Sequence, residues 1–302
     1  MHVLFTCPNC GAKTEVEETF VGQTGPCYCC GKSVTVPAST DGGPVVGETQ
    51  SGVGLGMIMT VVVVGTLGAI GVLLLALVVA RPVVNSFTGS SQLSACENNL
   101  SQLALAMQNY HEDCGSFPPA HLDGPDGTPM HSWRVLLLPY IGHKRLYQQY
   151  DLSQPWNSPQ NALLARKMPG IYACPADRIS RMNNETNYVV IVGRDTLFPG
   201  ATSINMDQVP DGISSTILIV EVHGSQIGWT DPRDLDARQM RFTVNVEDGQ
   251  EIGSLHEGGA AYVTADGKTH FLPGNAPPEY VEALASRGGD EAVTPEQVEA
   301  YK

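Results

Sequence analysis

From Val53 to Ala80 the chain passes through 28 consecutive positions without one charged side chain, most of them Val, Leu, Ile or Gly. This run constrains the fold more than any other feature. At ~1.5 Å per helical residue it reaches ~42 Å, longer than the ~30 Å hydrocarbon core of a bilayer, so the expectation is a single membrane-spanning helix over 53–80. The rival reading is a secretory signal peptide, which sits at the extreme N-terminus behind a basic region and ends at an A-x-A-like site. Here Met1 to Gly52 precede the run and no such site follows it. Gly52, Gly56 and Thr60 lie four apart, as do Gly65 and Ala69, a spacing that lets a second membrane helix approach closely. Membrane helices are also rich in glycine without any such contact.

The run separates two unlike parts. Only the C-terminal one is long enough to bury a sizeable core. The domain reading is a zinc ribbon over 1–37, a flexible linker over 38–52, the span, an exported domain over 81–290 and a helical tail over 291–302. Formal charge is -14, and both sides share it, because the N-terminal part sets only Lys13 and Lys32 against Glu15, Glu17, Glu18, Asp41 and Glu48. Without a Lys/Arg cluster to displace counterions from phosphate, nucleic acid is excluded as a partner and anionic lipid surfaces fit poorly.

Cys7-Pro8-Asn9-Cys10-Gly11 and Cys27-Tyr28-Cys29-Cys30-Gly31 form two C-x2-C pairs at the spacing of a four-cysteine zinc site. Two residues between thiolates let one tight turn offer both sulfurs to one ion, and the glycine after each pair permits the left-handed backbone that closes the turn. Cys7, Cys10, Cys27 and Cys30 would complete a tetrahedron around a structural zinc, with Cys29 a bystander and Val34 and Val36 in the closing strand. Disulfides or a redox C-x-x-C pair are the alternatives, but no thioredoxin-like strand–helix pattern surrounds these cysteines. After Pro37, a run rich in Ala, Ser, Thr, Gly and Pro reads as linker.

Arg81 is the only basic residue close to either end of the span and favours a C-terminus inside. Against it, thiolate ligands survive in a reducing cytoplasm, while Cys96, Cys114 and Cys174 suit an oxidising exterior. The expected topology is an inner-membrane protein with its N-terminus cytoplasmic and its C-terminal domain periplasmic or otherwise extracytoplasmic.

Leu93, Cys96, Leu100, Leu103, Met107 and Tyr110 recur at intervals of three and four, the apolar face of a helix from about Ser91 to Asp113. A second helical segment is expected over Trp133 to Tyr150. Antiparallel strands are expected over Tyr188–Val192, Thr216–Val222, Phe242–Val246, Ala260–Ala265 and Lys268–Leu272. Asp266-Gly267 between the last two suits a type I′ turn. Thr294-Pro295-Glu296-Gln297 reads as a capping box opening a short, frayed terminal helix.

Cys96-Glu97-Asn98-Asn99-Leu100, Asn109-Tyr110-His111, Gly115-Ser116-Phe117-Pro118-Pro119, Ser132-Trp133-Arg134, Leu137-Leu138-Pro139-Tyr140, Cys174-Pro175-Ala176-Asp177, Thr186-Asn187-Tyr188, Asp211-Gly212 with Thr216-Ile217-Leu218, Glu221, and His256 followed after nine residues by Asp266-Gly267 occur in this order. Over roughly 84–290 the chain resembles domain-of-unknown-function family 1559, whose members are regarded as pseudopilin-like. The resemblance implies an α+β domain with a long N-terminal helix packed on an antiparallel sheet. The chain departs from the family pattern, since a ribbon and linker stand where a prepilin-type leader would be, and Pro82 and Gly89 weaken a continuous pilin-like helix. The apolar run then reads as an uncleaved anchor.

Cys96 and Cys174 both coincide with family cysteines, and the resemblance implies a disulfide between them; free buried thiols, or Cys114 as the partner, are the alternatives. His256 invites a catalytic or metal-binding reading with Asp266, Glu221 and His270, set against a histidine that bonds backbone ahead of a hairpin whose turn Asp266 and Gly267 serve. There is no G-x-S-x-G elbow, no phosphate-cradling glycine loop and no Cys–His scaffold. The sequence therefore reads as a non-enzymatic, membrane-anchored interaction or assembly protein whose partners are other proteins, with no small-molecule substrate identified. An exported ligand-binding or sensing domain coupled to the ribbon is the alternative.

Overall fold

The computed structural model describes residues 2–6, 8, 13–17, 21–26, 33–36, 89–246, 249–289 and 293–301. The expected span over 53–80, the linker and the four ribbon cysteines lie outside them. Among the described residues no helix is long and apolar enough to cross a membrane. The chain divides into two units, Met1–Ile70 and Gly71–Lys302.

In the first unit, β1 (His2–Thr6) pairs antiparallel with β2 (Lys13–Glu17), and β3 (Thr24–Pro26) pairs antiparallel with β4 (Ser33–Thr35). Each hairpin brackets one C-x2-C pair in the sequence. Val34, within β4, and Val36, just after it, are buried.

The described residues of the second unit begin with helix α1, over 89–114. Its apolar stripe is buried as its spacing requires, with Cys96, Leu100, Leu103, Ala104 and Met107 all inaccessible. Each buried Leu or Met contributes about 1.5–3 kcal/mol. The helix stops at Gly115, whose φ of +77° is left-handed and whose N–H donates to the His111 carbonyl at 2.7 Å.

The central sheet has the order β12-β11-β9-β7, antiparallel throughout. It comprises β7 (Tyr188–Val189), β9 (Ile217–Glu221), β11 (Gly259–Thr264) and β12 (Thr269–Pro273). Two separate apolar clusters divide its residues. Tyr188, Leu218, Ala261 and Val263 pack in the cluster that holds the α1 stripe. Val189, Val220, Ala260 and Tyr262 join Val281 and Leu284 of α6 (Pro278–Ala285) and Val298 of α7 (Pro295–Glu299). Two covered faces explain why β9 and β11 are buried at every position instead of alternating with polar residues.

Several expected elements are redrawn. The run from Tyr188 to Val192 splits: β7 stays in the main sheet, while β8 (Ile191–Val192) pairs in parallel with β10 (Leu235–Asp236). Phe242–Val246 forms no strand; Phe242 and Asn245 sit at φ +56° and +59°, and only Val244 makes a bridge, to Ile252. The helical segment near Trp133 is two short helices, α2 (Trp133–Leu136) and α3 (Lys144–Gln149), separated by a turn holding Pro139 and Gly142 at φ +83°. Between α1 and α2 lies a hairpin of β5 (His121–Asp123) and β6 (Pro129–Ser132), and α4 (Pro159–Ala165) follows α3. The terminal helix α7 is docked rather than frayed, with Val298 fully buried against β12 and α6.

The β11–β12 turn is not type I′. Only Gly267 has positive φ (+87°), the Gly267 N–H donates to the Thr264 carbonyl, and the Thr264 N–H donates to the Lys268 carbonyl. That is a three-residue loop whose glycine takes up the left-handed position.

Candidate functional site

Four chain segments converge on the buried face of α1. Cys96 lies on the buried face of that helix, and Cys174 follows a 3-10 turn at Gly170–Tyr172. Glu221 is the last residue of β9, and His256 precedes β11. Cys96 and Cys174 are joined as a disulfide across 78 residues, with their Cα atoms 5.4 Å apart, and Cys114 is a free, exposed thiol. His256 Nε2 lies 3.4 Å from Cys174 Sγ and 3.5 Å from Glu221 Oε1. Glu221 Oε2 accepts from the Ala261 N–H at 3.2 Å. One ligand atom from each of Cys96, Cys174, Glu221 and His256 lies within 4.8 Å of all the others, and all four residues are buried. Burial raises the Glu221 carboxyl, with the His256 ring pulling the other way.

The loop carrying Cys174 is held from both sides. Asn99 of α1 donates its amide to the Ala173 carbonyl at 3.2 Å, and the Cys174 N–H donates to Asn187 Oδ1 at 2.9 Å. Asp177 then caps α5 (Arg178–Asn183), accepting from the Ser180 N–H and hydroxyl at 3.0 and 2.8 Å. Its Oδ2 also takes Asn187 Nδ2 at 3.0 Å and meets His223 Nδ1 at 2.8 Å. Burial pushes Asp177 up, but the bonds from Ser180, His223 and Asn187 outweigh it and leave the carboxyl below its usual range.

Of the residues singled out in sequence, His256 and Glu221 meet each other and the cysteine pair. Asp266 and His270 go elsewhere. Asp266 accepts from the Thr264 hydroxyl at 2.6 Å and the Lys268 N–H at 3.2 Å, and its other oxygen pairs with Lys268 Nζ at 3.0 Å. Gly267 lies beside Gln108 of α1, whose amide donates to the Ala265 carbonyl at 3.2 Å. His270 Nδ1 sits 3.2 Å from Glu299 of α7. The H-x9-D-G motif thus divides into a cluster histidine and a turn. The His256 ring, expected on backbone, faces sulfur and carboxylate instead. Asn187 and His223 were not anticipated as partners of Asp177; the Cys-Pro-x-Asp spacing was their only sequence signal, since it sets a capping carboxylate three residues from the cysteine.

A second polar feature lies near the β8–β10 pair. A cavity of about 530 Å³ is lined in part by His121, Gln226, Arg233, Asp234, Asp236 and Gln239. Asp234 Oδ1 accepts from Trp133 Nε1 at 3.2 Å, the Val190 N–H at 3.0 Å and Arg134 at 2.5 Å, while Oδ2 is buried without a hydrogen-bond partner.

Residues 94–200 match the model of a family described as a protein of unknown function, DUF1559. The matched segment holds both bridged cysteines, while His256 and Asp266-Gly267 lie beyond it. Comparison with curated proteins and with solved structures gave no match.

Proposed function

We propose that the chain is a single-pass inner-membrane protein that acts as an interaction or assembly component, with a pseudopilin-like domain outside the membrane and a zinc ribbon inside. The observation that carries this reading is the apolar face of α5. Ile179 and Met182, one helical turn apart, are 72% and 83% exposed, the most exposed large apolar side chains among the described residues. Exposed apolar groups that share one short helix mark a contact surface more than an accident of folding. The fold presents that helix firmly, since its N-cap, Asp177, lies three residues after a disulfide cysteine and is held in a buried hydrogen-bond network. The uncharged run over 53–80 supports the anchor. The two hairpins that bracket Cys7/Cys10 and Cys27/Cys30 support a zinc held by those four thiolates.

A photo-crosslinking residue at position 182 in intact cells tests the reading. A discrete protein adduct is expected from position 182, lost in an Ile179→Asp background and absent when the probe sits at Glu112. Identical patterns from both positions would refute it. The cavity beside Asp234, lined by several polar side chains, favours the second reading, an exported ligand-binding or sensing domain.

A further inference from the structure

We propose that Cys96, Cys174, Glu221 and His256 form a buried site for a divalent cation of the zinc class when the two cysteines are reduced, so that disulfide and metal are alternative fillings of one place. Two sulfurs, one imidazole nitrogen and one carboxylate oxygen make a complete four-donor set, and all four atoms lie within 4.8 Å of one another. With zinc bonds of about 2.0–2.3 Å, a tetrahedron has edges of roughly 3.3–3.8 Å. The separations from His256 Nε2 to Cys174 Sγ, 3.4 Å, and to Glu221 Oε1, 3.5 Å, already have that size. The two sulfurs must part, to about 3.8 Å, and the remaining pairs, none wider than 4.8 Å, must settle to similar edges, adjustments that side-chain rotation on α1 and on the Cys174 loop supplies.

The chemistry of the pocket points the same way. A buried carboxylate and imidazole beside a neutral disulfide are costly to desolvate and add little to its packing. Around a cation the same groups are ligands. Two thiolates and a carboxylate carry three negative charges, which a divalent ion reduces to one. Thiolate donors select zinc-like ions over magnesium or calcium. The second shell is in place too, since Glu221 Oε2 is held by the Ala261 N–H and the Cys174 N–H by Asn187. With all four positions taken by protein and none of the four residues exposed, the ion would be structural.

The exchange balances. An external dithiol gives two electrons and two protons to the Cys96–Cys174 bond and becomes a cyclic disulfide. The cation then displaces the two thiol protons to solvent, while His256 coordinates through Nε2 with its remaining proton on Nδ1.

The test uses the full chain in mild detergent, refolded with dithiothreitol and zinc, with metal per chain measured by plasma emission. The reduced wild type should hold one more zinc than the Cys96→Ala/Cys174→Ala variant, whose ribbon is intact. Equal contents in two folded proteins would overturn the proposal. Should the alanine pair fail to fold, Glu221→Gln keeps both thiols and the side-chain shape. It should weaken the site at least about tenfold, the low end even for loss of an outer-shell partner. Unchanged affinity would also overturn the proposal. Air-oxidised wild type should yield the linked Cys96–Cys174 peptide and lack the additional zinc, and recovering both together would refute mutual exclusion.

Discussion

Burying a guanidinium costs several kcal/mol unless a carboxylate meets it, and Arg134 meets Asp234 at 2.5 Å with neither side chain exposed. Burial pushes the Asp234 carboxyl up to about 6, with the Arg134 guanidinium acting against it. Asp234→Ala strands Arg134, and urea unfolding should record a loss of about 3–5 kcal/mol. Arg238→Ala removes an ion pair whose arginine is 86% exposed, and should leave stability almost unchanged. Similar costs for the two variants would contradict this account of the buried pair. Asp177 gives a pH signature. Its folded value lies below its unfolded one, so its ionised form contributes stability that is full above about pH 4 and is lost as pH falls through the folded value. Denaturation midpoints measured between about pH 6 and pH 2 should therefore fall with acid, and Asp177→Asn should flatten part of that slope. An unchanged slope would assign the acid sensitivity to other carboxylates.

Elements differ in how far the sequence discloses them, and the difference is physical. Helix α1 was legible because its period of 3.6 is imposed by one buried stripe, and its end was legible because Gly115 follows it. Phe242–Val246 is rich in strand-forming residues but meets no partner strand, and its backbone turns left-handed at Phe242 and Asn245. Tyr188–Val192 has the local pattern of one strand, and local pattern cannot show that its halves pair in different sheets. In the site, the motif residues were visible but their meeting was not. His256 and Asp266 share a motif, yet the β11–β12 hairpin holds Asp266 in its turn while His256 joins Cys174 and Glu221. That turn carries its own prediction. A Cβ on Gly267 would need positive φ and would lie 3.0 Å from Gln108 Nε2. Gly267→Ala should cost about 1–2 kcal/mol from the backbone alone. Gly115→Ala, also at positive φ but in open space, should cost no more than that. If Gly115→Ala proved the more damaging in thermal melts, the close approach of α1 to the hairpin would not be what Gly267 serves.

At the scale of the whole molecule, the Cys96–Cys174 link ties α1 to the loop that leads into α5, closing a long stretch of chain that includes β5, β6 and the helices α2, α3 and α4. Loop-closure entropy over a sequence separation of 78 residues gives a stabilisation of roughly 4–5 kcal/mol as an upper figure, because residual structure in the unfolded chain lowers it. Domains in general retain only 5–15 kcal/mol in total, so this one bond is a large share. Reduced, metal-free wild type should therefore unfold at a clearly lower urea concentration than oxidised wild type and close to the Cys96→Ala/Cys174→Ala variant. The two cysteines and their ring of Asn99, Asn187, Glu221 and His256 are brought together only by the finished fold, so unfolding disperses both a disulfide-constrained and a metal-bound arrangement. If the four donors act as inferred, zinc added to the reduced wild type should restore much of the lost stability and leave the alanine variant unmoved, in one experiment read by the same urea midpoint. A midpoint that ignored both reduction and zinc would mean that α1 and the sheet hold together by apolar packing alone. The buried Glu221–His256 contact would then be an ordinary polar contact of the core beside a dispensable bridge.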